Sequence, residues 1–147
     1  MAKYYQGKFK PKNPEKYKGK VEDIYYRSSW ELKAFKWCDE TPSVLKWASE
    51  EIIIPYMSPI DNKKHRYFVD LYFEVKDSSG TVKKYLAEIK PEKQTAPPDV
   101  SKKKNKRYIQ EAMTYAVNEA KWNAAKEACK DSGVEFIILT EKHLGIR

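Results

Sequence analysis

The sequence predicts an α/β sandwich in which a central mixed β-sheet is flanked by helices. Three observations carry that prediction. Residues 65–75 and 81–90 alternate in polarity on either side of an Asp77-Ser78-Ser79-Gly80 turn, as paired antiparallel strands do. Residues 103–130 place small and apolar side chains at helical spacing. Residues 134–139 form a short, continuous apolar run suited to a buried parallel strand. A chain of 147 residues fits one domain, burying roughly 70% of its unfolded surface around a single core.

In chain order, residues 1–27 carry Lys3, Lys8, Lys10, Lys12, Lys16, Lys18, Lys20 and Arg27, interleaved with Tyr4, Tyr5, Phe9, Tyr17, Tyr25 and Tyr26. Pro11 and Pro14 block regular structure, so the segment is expected to be an extended basic N-terminal arm preceding a single domain over 28–147. Such an arm either tracks phosphates while its rings stack on bases or a partner, or lies on its own domain. Ser28 or Ser29 caps a helix from Trp30 to about Asp39, ended by Thr41-Pro42. Residues 51–56 are β-branched and predict a strand.

Within 65–75, alternation assigns Tyr67, Val69, Leu71, Phe73 and Val75 to one face, and Arg66, Phe68, Asp70, Tyr72 and Glu74 to the other. In the returning strand Tyr85, Ala87 and Ile89 point to the core, so Glu88 and Lys90 project together from the opposite face. Pro91 stops the ladder because it has no amide hydrogen. A loop over 91–101 follows, and then a helix whose core stripe reads Ile109, Ala112, Met113, Ala116, Ala120 and Ala124. Asp131-Ser132-Gly133 ends that helix before the last strand.

Composition excludes several classes of protein. Cys38 and Cys129 lie far apart without metal-ligand spacing, so they read as reduced core residues rather than a zinc site or a disulfide framework. No apolar run approaches the ~20 residues of a membrane span, and the N-terminus has no secretory core, which predicts a cytosolic protein without membrane partners. With 29 Lys and Arg against 21 Asp and Glu, a net charge of +8 favours polyanions, nucleic acid first among them. No helix-turn-helix or zinc finger is present, so the chain has no recognisable module of its own for reading sequence.

The chemistry-bearing feature is Asp70, followed eighteen residues later by Glu88-Ile89-Lys90. Two carboxylates on paired strands can share a divalent ion, Mg2+ with Mn2+ as substitute, and phosphodiester hydrolysis needs such an ion to neutralise phosphate and to acidify water. Lys90, on the face of Glu88, can orient that water and stabilise the pentavalent phosphate. Glu31 falls on the helix stripe of Ala34, Phe35 and Cys38, a poor place for a charge unless a cation compensates it. The competing arrangement rotates the helix so that Trp30, Ala34 and Trp37 face inward and Glu31 is solvated.

The segments Arg27-Ser28-Ser29-Trp30-Glu31, Phe68-Val69-Asp70-Leu71-Tyr72-Phe73 and Leu86-Ala87-Glu88-Ile89-Lys90-Pro91 resemble, in order and spacing, the PD-(D/E)xK nuclease superfamily, in particular its TnsA-like transposon endonuclease branch. Val69 departs from the proline often found there. The resemblance implies a restriction-endonuclease-like core, metal-dependent endonuclease activity on double-stranded DNA, and no small-molecule cofactor. It assigns Glu31, Asp70 and Glu88 as metal ligands, with Lys90 completing the catalytic set. The lysine-rich N-terminus and the length also resemble phage head completion nucleases. That implies processing of packaged DNA ends, portal or neck proteins as partners, and a place in the host cytoplasm during assembly or on the virion.

Around this site, Lys102, Lys103, Lys104, Lys106 and Arg107 open the long helix, where cations oppose the helix dipole and suit a DNA-backbone clamp or a solvated, frayed turn. Arg66 is a further phosphate contact. Two other functions fit the same chain: a structural head-closure protein that grips DNA on a nuclease fold, and the endonuclease subunit of a transposase or restriction system.

Overall fold

The computed structural model describes residues 6–102 and 105–146, apart from the side chain of Lys102. Two short strands, β1 (Gly7–Lys8) and β2 (Tyr25–Tyr26), precede helix α1 (Ser29–Glu40). Strands β3 (Val44–Ser49), β4 (Ile53–Met57), β5 (Lys64–Phe68), β6 (Leu71–Lys76) and β7 (Val82–Ile89) follow. The chain then runs through helix α2 (Lys106–Cys129), strand β8 (Val134–Leu139) and helix α3 (Glu141–Leu144). The central sheet has the order β3-β6-β7-β8, antiparallel except for the parallel β7–β8 pair. Strands β4 and β5 form a separate antiparallel ribbon. The predicted mixed sheet between helices is therefore present.

Local chemistry explains the boundaries. The Ser28 hydroxyl accepts from the Glu31 amide at 3.1 Å and caps α1, and the Asn105 side chain accepts from the Tyr108 amide at 2.7 Å and caps α2. Gly80 takes φ +87° in the β6–β7 turn, where its amide donates to the Asp77 carbonyl at 3.0 Å. Helix α1 buries Ala34, Phe35 and Cys38 while Trp37 stays 43% exposed, so the arrangement that leaves Glu31 on the inward stripe is the one adopted.

Both faces of the sheet are covered. Phe35, Trp47, Leu71, Phe73 and Ala87 form one core beneath α1. Tyr67, Val69, Leu86, Trp122, Ala125 and Phe136 form the other beneath α2. Cys38 and Cys129 are buried and unpaired, as expected. Among the described residues no helix is long and apolar enough to cross a membrane.

Four expectations are corrected. The described part of residues 1–27 is no extended arm: Phe9, Tyr17 and Ile24 are buried in the α1-side core, and Phe9 stacks edge-on against both Phe35 and Trp47. The buried Asp39 carboxylate binds the amides of Lys12 and Asn13 at 2.8 and 2.9 Å and fixes this segment to the end of α1. Residues 1–5 lie outside the described residues. The second correction adds strand β3, whose register slips between Val44 and Lys46 and puts Val44 and Trp47 inside at a spacing of three.

The third concerns residues 65–75, which are two strands broken at Val69-Asp70. Tyr67 and Val69 enter the α2-side core, whereas Leu71 and Phe73 enter the α1-side core. Uniform alternation fails because the chain passes from the ribbon to the sheet at that point. The fourth concerns α2, which turns Asn118, Trp122, Ala125 and Cys129 inward and leaves Ile109 and Met113 at 53% and 40% exposure. The inward stripe sits on β4 and β8, with Ala120 and Ala124 of the predicted stripe packed at its margin.

Candidate active site

Asp70 occupies the break between β5 and β6. Across from it Glu50, at the bend between β3 and β4, adopts the left-handed φ of +56°, and its amide donates to the Asp70 carbonyl at 3.3 Å. The carboxylates of Glu31, Glu50 and Asp70 offer oxygens that all lie within 4.8 Å of one another. Glu31 reaches this point from the first turn of α1, where the helix N-terminus favours negative charge, and its Oε1 accepts from the Arg27 amide at 2.9 Å. The Arg27 guanidinium pairs with Glu50.

Glu88 approaches Asp70 from β7. Buried at 7% exposure, it accepts the Tyr67 hydroxyl on Oε1 at 2.5 Å and faces Lys90 Nζ from Oε2 at 3.3 Å. Asp70 Oδ2 accepts from the Ile89 amide at 2.8 Å, so the strand that carries Glu88 and Lys90 is tied to Asp70 by its backbone. The expectation that Glu88 and Lys90 stand on one side of β7 agrees with this pairing. That side is not a solvated face, because Leu86, the neighbour of Glu88 on it, belongs to the core under α2.

The carboxylates strain one another electrostatically. Asp70 is pushed up to about 7, first by burial and then by the charge of Glu88, with Glu31 adding to the shift and the Ile89 amide and Lys90 opposing it. Burial and the adjacent Glu88 push the Tyr67 hydroxyl far up, which keeps it a hydrogen-bond donor. Three carboxylates thus converge, with Glu88 acting on Asp70 from outside the group, and Arg27 and Lys90 pair with Glu50 and Glu88 respectively. An all-oxygen donor set with surplus negative charge fits a hard divalent cation, which would relieve the repulsion on Asp70.

Of the predicted residues, Glu31 and Asp70 are therefore brought together with Glu50, while Glu88 and Lys90 form an ion pair near Asp70 but outside that group of oxygens. Glu50 was missed by sequence reasoning, because the slipped register of β3 hides the strand that leads to it. The Val44–Ser49 run of β-favouring residues was the available signal. Arg66 lies on the exposed ribbon, its guanidinium 5.5 Å from the centre of the Phe68 ring. Lys106 and Arg107 are exposed at the start of α2, where Arg107 pairs with Glu111 at 3.4 Å. Arg107 also lines a cleft of about 600 Å³ between the 93–99 loop and α2. Lys103, Lys104 and the side chain of Lys102 lie outside the described residues. Neither histidine joins the site: His65 pairs with Asp61 at 2.8 Å, and His143 Nδ1 accepts from the Thr140 amide at 3.0 Å.

Comparison with known proteins bears on this geometry. The family described as TnsA-like endonuclease N terminal matches residues 41–141, a span that contains Glu50, Asp70, Glu88 and Lys90. The "Head completion nuclease" of Enterobacteria phage T4 is 42% identical over 144 residues, covering 95% of this chain and 93% of that protein. No solved structure matches. The chain belongs to the TnsA-like endonuclease N-terminal family, a PD-(D/E)xK-type nuclease family.

Proposed function

We propose that this protein is a Mg2+-dependent DNA endonuclease that acts in phage head completion, as the name of its T4 relative suggests. The observation that carries the reading is the half-buried Asp70 carboxylate, grouped with those of Glu31 and Glu50 and acted on by the charges of Glu88 and Lys90. Asp70, Glu88 and Glu31 would hold the ion, and Glu50 is added to that set. A bound divalent cation supplies neutralisation of the phosphate and a water acidified toward neutral pH.

The residues of the chain do the rest. Lys90 holds a proton on Nζ beside Glu88, from which it orients the attacking water and stabilises charge building on the phosphate oxygens. Tyr67 fixes Glu88 by its short hydrogen bond, leaving the other carboxylate oxygen to Lys90. The exposed lysines of the N-terminal segment and the start of α2 supply phosphate contacts and account for the basic charge. Acting on packaged DNA ends beside portal or neck proteins, in the host cytoplasm during assembly, is part of the same proposal.

Supercoiled plasmid incubated with Mg2+, Mn2+ or EDTA tests the reading. Cutting is expected with either metal and not with EDTA, and full activity in a Glu88→Ala/Lys90→Ala double variant would sink the assignment. A purely structural head-closure role drew its support from a free basic arm, and the burial of Phe9, Tyr17 and Ile24 removes that support.

A further inference from the structure

The β4–β5 ribbon has one face in use and one face free. Inward, Ile54, Tyr56 and Tyr67 are buried, with Trp122 and Ala125 of α2 in the same core. Outward, the register pairs Ile53 with Phe68, Pro55 with Arg66, and Met57 with Lys64. All six are exposed, Ile53 at 46%, Met57 at 57% and Phe68 at 43%. Ile60 at the tip is 51% exposed beside Lys63. An apolar surface of this extent on a small domain signals a binding site.

The charges identify the occupant. Lys63, Lys64 and Arg66 are exposed and, among the described residues, have no carboxylate partner within ion-pair range, while the nearby acid, Asp61, is already bound to His65 at 2.8 Å. A face that joins cations to Ile, Met, Pro and Phe matches the chemistry of β-ribbons and apolar wedges that grip duplex DNA, where Lys and Arg meet phosphates and apolar side chains lie against base steps. Position supports this. Phe68 precedes Asp70 by two residues, so the five-residue ribbon projects about 17 Å from the carboxylate site. Its anchoring on α2 makes it a stiff support whose ordering need not be supplied by the ligand.

We infer that the outward face of the β4–β5 ribbon is a duplex-DNA grip, with Lys64 and Arg66 on the backbone, Phe68 against the bases next to the cleaved bond and Met57 against bases farther along the duplex. This rests on the nuclease reading above and extends it to a second element.

The test is fluorescence anisotropy of the full chain on a labelled blunt 20-bp duplex in EDTA, over a range of salt, with plasmid cleavage in Mg2+ run in parallel. Lys64→Ala/Arg66→Ala is expected to weaken binding roughly tenfold near 0.1 M salt and to lower the slope of log affinity against log salt by about 1.8. Met57→Ser/Phe68→Ser is expected to weaken binding about fivefold with the slope unchanged, because no phosphate contact is lost. Lys83→Ala/Lys126→Ala, at exposed lysines off the ribbon, is the charge-matched control.

Wild-type affinity in both ribbon variants, or equal losses in the control, overturns the grip and leaves the nuclease reading standing. A wild-type chain that neither binds duplex nor cuts plasmid overturns both. A chain that cuts plasmid without measurable binding in EDTA must show the same ordering of variants in KM, and unchanged KM values overturn the grip. Sedimentation supplies the last outcome: a wild-type dimer that Met57→Ser/Phe68→Ser makes monomeric, at unchanged DNA affinity, assigns the face to a second copy instead.

Discussion

Two segments of this protein look alike in composition and behave in opposite ways. Residues 7–27 and the ribbon of residues 53–68 both mix cations with aromatic and aliphatic side chains. In the first, Lys8, Lys10, Lys12, Lys18 and Lys20 are exposed, Lys16 binds the Asp39 and Thr41 carbonyls at the end of α1, and Phe9, Tyr17 and Ile24 are buried beneath α1 and beside β3. In the second, α2 covers one face and nothing among the described residues covers the other, so Ile53, Met57 and Phe68 remain exposed. The difference teaches that the rings of a basic aromatic stretch are free to bind only where no element of its own fold packs on them, whatever its exposed cations contact. The candidate site lies where the two segments end, with Arg27 and Glu31 just after the first and Asp70 just after the second.

The largest effect is expected at that junction. Asp70→Asn should lower plasmid cleavage by roughly 10²–10³-fold, since it removes a charge placed to act on the reacting phosphate. In EDTA the same variant should melt at a higher temperature than wild type, because the repelled buried charge is gone while the amide oxygen can still accept from Ile89. A lower melting temperature would show that Asp70 is structural in the way Ile24 is.

Next comes the buried segment. Ile24→Ala should cost about 2–5 kcal/mol, which lowers Tm by roughly 4–20 °C at this chain length, with kcat unchanged below the transition. A loss of kcat without a loss of Tm would place this segment on the substrate and reverse the comparison.

Tyr67 belongs to the ribbon by position but turns into the core, so Tyr67→Phe separates the two faces of one strand. It should weaken Mg2+ affinity about tenfold, measured by calorimetry, because Glu88 loses the hydrogen bond that orients it. Outward-face variants should leave Mg2+ affinity alone.

Acidity distinguishes the site from either segment. The folded value for Asp70, about 7, lies above its ordinary 3.8, so between those limits the folded chain holds a proton that the unfolded chain has lost. Stability in EDTA should therefore fall as pH rises from about 4 to about 7 and then level off. Divalent-ion affinity should rise over the same window, by roughly tenfold per pH unit, as the competing proton leaves. Calorimetric melts and titrations at four pH values check both slopes, and a stability that rises across the window would contradict the placement of Asp70 among carboxylates.

The smallest effect is expected on the outward face. Met57→Ser/Phe68→Ser should change stability by no more than about 1 kcal/mol, read from urea unfolding, because both residues are already about half exposed. A larger loss would mean the face is packed after all.

Much of this was legible in the sequence because it depends on neighbours along the chain. Ser28 predicts a capped helix, Asp77 to Gly80 a turn, and Glu88-Ile89-Lys90-Pro91 a strand whose alternate side chains share a face. What failed depended on events between distant residues. The slip at Val44–Lys46 hid β3 and, with it, Glu50. The passage from ribbon to sheet at Asp70 exchanged the cores into which Tyr67 and Leu71 point, which no periodicity within 65–75 can report. Ile109 and Met113 keep helical spacing, yet both are exposed, because α2 buries the face that carries Asn118, Trp122 and Ala125.

The sequence by itself determined most of the elements and the mixed sheet, and it singled out Glu31, Asp70, Glu88 and Lys90 as candidates, because period and local hydrogen bonding are properties of adjacent residues. Only the tertiary structure decided which apolar rings are core and which are surface, and that Glu50, in a left-handed conformation, comes within reach of Glu31 and Asp70. Burial and the convergence of charge are set by what packs opposite a residue, and that partner lies elsewhere in the chain.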